Sequence, residues 1–176
     1  SQERLLWDKY VTGEYWDKLK VPEALRETPT SQMKKTVEKL KAKFGFFKPE
    51  ELPWVTVREA LIDLPDPQSG SNGRQDHIFR DGAKTYPGHT GSFVHDPFKT
   101  IKAGDHGVPG GENMLRYEDD SVRYFTVLEA KRIQTFPDEY FISGSWTEAM
   151  RQLGNAVPVK LAYTISKELI DKLSHN

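Results

Sequence analysis

The sequence predicts an α+β protein. Apolar residues recur at helical spacing near both ends of the chain. One short β-branched run precedes the last helical block, and the middle is irregular and dense in Gly, Asp and His.

Residues 1–50 are charged and helical in pattern. In TSQMKKTVEKLKAKFG, Thr30 or Ser31 is placed to cap a helix and Gly45 to stop it. Met33, Val37, Leu40 and Phe44 fall on one face. The other face carries Lys34, Lys35, Lys39, Lys41 and Lys43, a pattern open to two readings: a solvated surface or a phosphate-contacting helix. Further on, Thr56 caps a short helix with Val57, Ala60, Leu61 and Leu64, which Pro65 and Pro67 end. From Gly70 to Pro97 few apolar positions are periodic, and so long an irregular stretch is either functional or disordered. Val122–Phe125 is a short strand candidate. Thr126 then starts a helix carrying Val127, Ala130, Ile133 and Gln134, broken by Pro137. In SGSWTEAMRQLGNAVP, Ser145 and Glu148 have capping-box spacing, and Ala149, Met150 and Leu153 continue a helix that Gly154 is expected to stop. The last helix, VKLAYTISKELIDKL, is expected to bury Leu161, Ala162, Ile165, Leu169 and Leu173, which share one face.

With 176 residues the chain is one ordinary domain or slightly more, enough for a real core. Its net charge of -1 excludes a global polycation, though a basic face offset elsewhere still permits DNA binding. There is no cysteine, so this chain supplies no disulfide, no thiolate metal site and no thiol nucleophile. No window approaches a membrane span and SQERLLWDKY does not read as a signal peptide, so a soluble, intracellular chain is expected, with no membrane partner. His77, His89, His95, His106 and His175 lie at no metal-ligand spacing. The common hydrolase, nucleotide and dinucleotide motifs are missing.

Two loops carry chemistry of interest. In AGDHGVPGGEN (Ala103 to Asn113), four glycines allow close backbone approach, and Lys99, Lys102, Asp105, His106, Glu112, Asn113 and Arg116 surround them with groups of the kind that read bases. A plain solvent loop remains equally open there. GNAVP is either a simple helix-to-helix turn or a small-residue turn at which Asn155 and free N–H groups meet a small ligand.

The segment RYFTVLEAKRIQTFPDEYFISGSWTEAMRQLGNAVPVKLA resembles the ninth and tenth motifs of DNA (cytosine-5) methyltransferases. KTIKAGDHGVPGGEN and TVREALIDLPDP are similar to the target-recognition region of bacterial members, and the likeness runs from about Trp54 to the end. Leu128 stands where the family often has arginine. Members of that family flip a cytosine out of the duplex, attack its C6 with a cysteine thiolate and take the methyl group from S-adenosylmethionine.

The resemblance implies roles for the matching residues. Gly154, Asn155, Ala156 and Val157 would line one side of the S-adenosylmethionine pocket. Arg132, with Asp138 in the same segment, would hold the recognition region against the catalytic domain. Thr100 and Ile101 match the pair that anchors a recognition loop, so Lys99, Lys102, Asp105, His106, Glu112, Asn113 and Arg116 would face double-stranded DNA.

The family's Gly-rich cofactor turn, Pro-Cys loop, Glu-Asn-Val segment and Arg-x-Arg pair have no counterpart, and Glu112–Asn113 only echoes one of them. The chain is therefore expected to be the recognition and C-terminal part of such an enzyme, inactive alone, with no catalytic residue of its own. It would be a subunit of a split enzyme or a fragment of a longer one, working in the bacterial cytoplasm in restriction–modification. Residues 1–52 form a charged helical segment on this reading, 53–125 a small irregular β-rich recognition region, and 126–176 helices that pack on a Rossmann-like methyltransferase domain missing from this chain. The partner is that catalytic domain or larger subunit. A stand-alone, non-catalytic DNA-binding module is the alternative.

Overall fold

The computed structural model describes residues 1–70, 73–101 and 113–174. Three helices open the chain: α1 (Gln2–Tyr10), α2 (Glu14–Lys18) and α3 (Ser31–Phe44). The caps of α3 are those its sequence predicts, with Thr30 accepting from the Met33 N–H and Gly45 closing the end. Val37 and Leu40 are buried while the lysines opposite are exposed. Leu6, Trp7 and Leu40 form one small core, and Leu5, Tyr15, Trp16, Leu19 and Val21 another.

Those helices are tied to the rest of the chain by buried polar contacts. The Tyr15 hydroxyl lies 2.9 Å from Thr56 Oγ1 and 3.0 Å from Nδ1 of His95, whose Nε2 meets Glu118 at 2.8 Å. Lys9, almost fully buried, pairs with Asp96 at 3.1 Å and Glu27 at 3.4 Å among the rings of Tyr15 and Trp16. Each buried charge is thus partnered, which its desolvation requires.

Thr56 forms a reciprocal capping box with Glu59 at the start of α4 (Val57–Ala60). The irregular stretch after it contains a strand that its composition gives no sign of, β1 (Ser92–Phe93). Gly91 enters β1 at φ +77, where a Cβ would stand 3.0 Å from the Met114 carbonyl oxygen, so a side chain is excluded there. β1 runs parallel to β2 (Met114–Arg116), which is antiparallel to β3 (Val122–Tyr124), in the order β1-β2-β3. The fold is mixed helix and small sheet, as expected of an α+β chain.

Helices α5 (Val127–Ile133), α6 (Trp146–Asn155) and α7 (Val159–Ser174) follow. The main core joins Val57, Val94, Ile101, Leu115, Phe125, Ala130, Met150 and Leu153, so α4, the sheet, α5 and α6 close on one another.

Three local expectations need correction. Gly154 does not stop α6, which runs through it to Asn155. The break comes at Ala156 (ψ 147), next to the pair Val157–Pro158, where the proline disfavours helical geometry in the residue before it. Ser145 accepts from the Glu148 N–H, but the Glu148 carboxylate turns to Arg151 (2.6 and 3.0 Å), so only half of the capping box forms. The largest correction concerns α7. It buries none of its residues, and Leu161, Ile165, Leu169 and Leu173 are 50–67% exposed. The stripe is real, but nothing among the described residues covers it.

Candidate functional site

A cleft of about 760 Å³ lies where α4, the Phe98–Ile101 segment, the end of α5 and the α6–α7 turn meet. Thr100, Ile101, Arg132, Gly154 and Ala156 all line it. Ile101 is buried in the main core and anchors that wall, whereas Thr100 is exposed. The Asn155 side chain is exposed and makes no hydrogen bond among the described residues, and Val157 is 60% exposed.

Arg132 sits at the C-terminal end of α5 and grips Asp138 through two bonds, Nε to Oδ1 at 2.8 Å and Nη2 to Oδ2 at 2.6 Å. Asp63 takes its remaining nitrogen. This planar fork ties α5 both to the Pro137–Tyr140 turn and to the loop after α4. The Arg132 bond holds the carboxyls of Asp138 and Asp63 below the ordinary range. A carboxyl whose folded pKa is depressed contributes stability above its unfolded value, lost as pH falls through the folded one. Asp138→Asn is therefore expected to lower the urea midpoint at neutral pH, with the difference fading below about pH 4. A gap that stays constant down to pH 2.5 would contradict the ion pair.

The start of α5 is fixed from beneath. Arg123 on β3 meets both oxygens of Glu129, at 2.8 and 2.6 Å, and Glu129 completes a capping box with Thr126. His77, fully buried, bridges Thr126 Oγ1 and the Pro65 carbonyl oxygen, each at 2.9 Å. Leu128, at the family's frequent arginine position, is itself fully buried, and its N–H donates to Asp76 at 2.8 Å.

Of the residues assigned to DNA, Lys102, Asp105, His106 and Glu112 lie outside the described residues. Lys99 is exposed and its Nζ donates to Thr90 at 3.2 Å. Asn113 is buried immediately before β2, and its Oδ1 has no partner among the described residues. Arg116 stacks on Phe93 at 4.7 Å and pairs with Asp120 at 2.6 Å.

A second cleft, of about 710 Å³, holds side chains that the sequence did not single out. Buried Lys131 pairs there with Asp76 at 2.6 Å, and Arg80 lies over the Trp146 ring at 4.6 Å. Arg80 belongs to the irregular segment, where no periodicity marks a position. Among the described residues no group of three His, Asp or Glu could hold a metal ion. No helix among the described residues is long and apolar enough to cross a membrane.

Residues 9–171 match the C-5 cytosine-specific DNA methylase family. The chain belongs to that family. It is 30% identical over 149 residues to the Type II methyltransferase M.NgoFVII of Neisseria gonorrhoeae, covering 70% of this chain and 38% of the relative. To M.Sau96I of Staphylococcus aureus it is 44% identical over 66 residues, and to M.Eco47II of Escherichia coli 39% over 70. Each match covers 38% of this chain, with 15% and 17% of the respective relatives. This C-5 cytosine methylase chain thus spans less than two fifths of each of these relatives. The family match begins at residue 9, taking in helices that the motifs from Trp54 onward had left unplaced.

Proposed function

We propose that the chain is the DNA-recognition and cofactor-pocket-completing portion of an S-adenosylmethionine-dependent cytosine-C5 DNA methyltransferase of a restriction–modification system. The single observation carrying this reading is the family match in a chain of 176 residues without one cysteine. The chemistry of this family needs a thiolate. A second polypeptide portion must supply it, so the chain is inactive alone.

The residues at the α6–α7 turn fit the cofactor as one wall of a pocket. Gly154 and Ala156 leave room beside the cleft, and the exposed Asn155 carboxamide next to the Val157 isopropyl group suits a ligand with polar edges and an apolar ring face. Gly154, Asn155, Ala156 and Val157 would hold the cofactor, which supplies the methyl group. Lys99, Thr100, Lys102, Asp105, His106 and Glu112 face DNA on this reading, with Ile101, Asn113 and Arg116 supporting the loop. Residues 53–125 make up the recognition region, and 126–176 join it to the catalytic portion through Arg132, Asp138 and the open stripe of α7. Residues 1–52 brace the recognition region through Tyr15.

The test is complementation. The chain is mixed with a separately produced Pro-Cys-bearing portion of the same enzyme, and transfer of labelled methyl groups to duplex DNA is followed. Neither piece alone is expected to transfer label, and the mixture should methylate one defined sequence. A mixture of two folded pieces that stays inactive, while the chain alone selects one DNA sequence in gel shifts, would instead establish a stand-alone binding module.

A further inference from the structure

We infer that Gln134 and Thr135 are positioning residues for the 154–157 turn, fixing it by capping α7 from a different helix. The inference rests on the cofactor-side assignment of that turn given above.

A helix leaves its first N–H groups without internal partners, and a side chain just before it normally takes them. Pro158 precedes α7 and has no group to offer. The partners come instead from the end of α5. The Val159 N–H donates to the Gln134 carbonyl oxygen at 3.1 Å, and the Lys160 N–H donates to Thr135 Oγ1 at 2.9 Å. From the other side, Gln134 Nε2 donates to the Leu153 carbonyl oxygen at 3.0 Å. Three hydrogen bonds therefore straddle the turn, joining it to two consecutive residues that lie about 20 positions earlier in the chain.

The backbone of Thr135 supports the same reading. It stands at φ +59, the left-handed position that ends a helix and normally falls to glycine or asparagine. A β-branched residue is disfavoured there. Glycine would relieve that strain but would lose the hydroxyl that Lys160 needs. The bond to α7 is thus a physical reason for threonine at this point. Both residues also line the cleft beside Gly154 and Ala156, so a shift in either moves its wall.

The test compares Thr135→Val, which keeps the β-branching and drops the hydroxyl, with Thr135→Ser, which keeps the hydroxyl, and with Gln134→Met. Amide hydrogen exchange is measured first on the 176-residue chain by itself. Exchange at Val159–Ala162 is expected to speed up about fivefold or more in Thr135→Val, as loss of a helix cap implies. Gln134→Met keeps the carbonyl that serves Val159 but frees the Leu153 carbonyl, and is expected to speed exchange at Ala156, whose N–H donates to that carbonyl. Serine should restore the wild-type rate, and exchange at Met150 and Leu128 should stay unchanged in all three, which also reports that they fold. Unchanged exchange at Val159–Ala162 in Thr135→Val would overturn the inference for Thr135, and unchanged exchange at Ala156 in Gln134→Met would overturn it for Gln134. In the complemented enzyme, the KM for S-adenosylmethionine should rise while kcat holds. Faster exchange with an unmoved KM would keep the positioning role and remove the cofactor-side assignment instead.

Discussion

Glu129→Gln is expected to destabilise the chain by about 3–5 kcal/mol, the usual consequence of removing one partner of a buried ion pair. The side chains of Arg123 and Glu129 are 6% and 2% exposed, so water screens neither. Burial alone would lower the Arg123 pKa, yet the bond and charge of Glu129 override it and the guanidinium is held above its ordinary value. Replacing the carboxylate leaves that cation in the core with the Tyr117 hydroxyl and a carbonyl oxygen as its remaining partners. Glutamine also retains only one acceptor for the two N–H groups and the Thr126 amide that Glu129 now serves. Urea denaturation of the chain measures the effect. The paired change Arg123→Met with Glu129→Leu should recover most of the loss, because it removes both charges and leaves apolar groups of similar volume. A single-variant loss under 1 kcal/mol would mean that the pair is solvated and that α5 is held by packing alone.

Local chemistry was legible in the sequence, and partnership across the chain was not. Thr30, Thr56 and Thr126 cap the helices that their spacing announces, because a cap needs only the three residues after it. β1 was missed since two residues carry no period, and its pairing with β2 is settled by residues more than 20 positions away. The sequence showed only that the histidines lie at no metal-ligand spacing, and their buried roles were hidden for the same reason: His95 finds Tyr15 across 80 positions and His77 finds Thr126 across 49. Gly154 looked like a helix stop because glycine usually is one. Pro158, four residues on, proved the stronger constraint on where the backbone turns.

The cleft follows the same division. The turn at Gly154–Val157 stood out by its small residues as one of two open readings, whereas Thr100–Ile101 could be named only through likeness to a family, and no periodicity links the two. They meet because Ile101 and Leu153 share one core, which is a fact of tertiary packing. Gln134 had a visible place at the C-terminal end of α5, but its role depends on what Leu153 and Val159 lack, and no pattern within α5 carries that information.

The apolar stripe of α7 was read correctly and its burial was not, and this leads to the second large expected effect. Ile165→Asp combined with Leu169→Asp should leave the stability of the chain alone within about 0.5 kcal/mol per site, since neither side chain is covered. The same pair should nearly abolish complementation. Full burial of an Ile or Leu side chain is worth about 1.5–3 kcal/mol, so losing two weakens assembly by roughly 10²–10⁴-fold, before the desolvation of two new carboxylates is added. The quantity to measure is the concentration of this chain that gives half-maximal methylation with a fixed amount of the catalytic portion. Lys167→Ser, on the opposite face of α7, is the control and should leave that concentration unchanged. The uncovered stripe should also make the wild-type chain bind hydrophobic dyes and self-associate when alone, while the double variant stays monomeric by sedimentation. A double variant that complements as well as wild type would show that α7 is solvated in the assembled enzyme. The join would then have to be made elsewhere, leaving the stripe without a physical purpose.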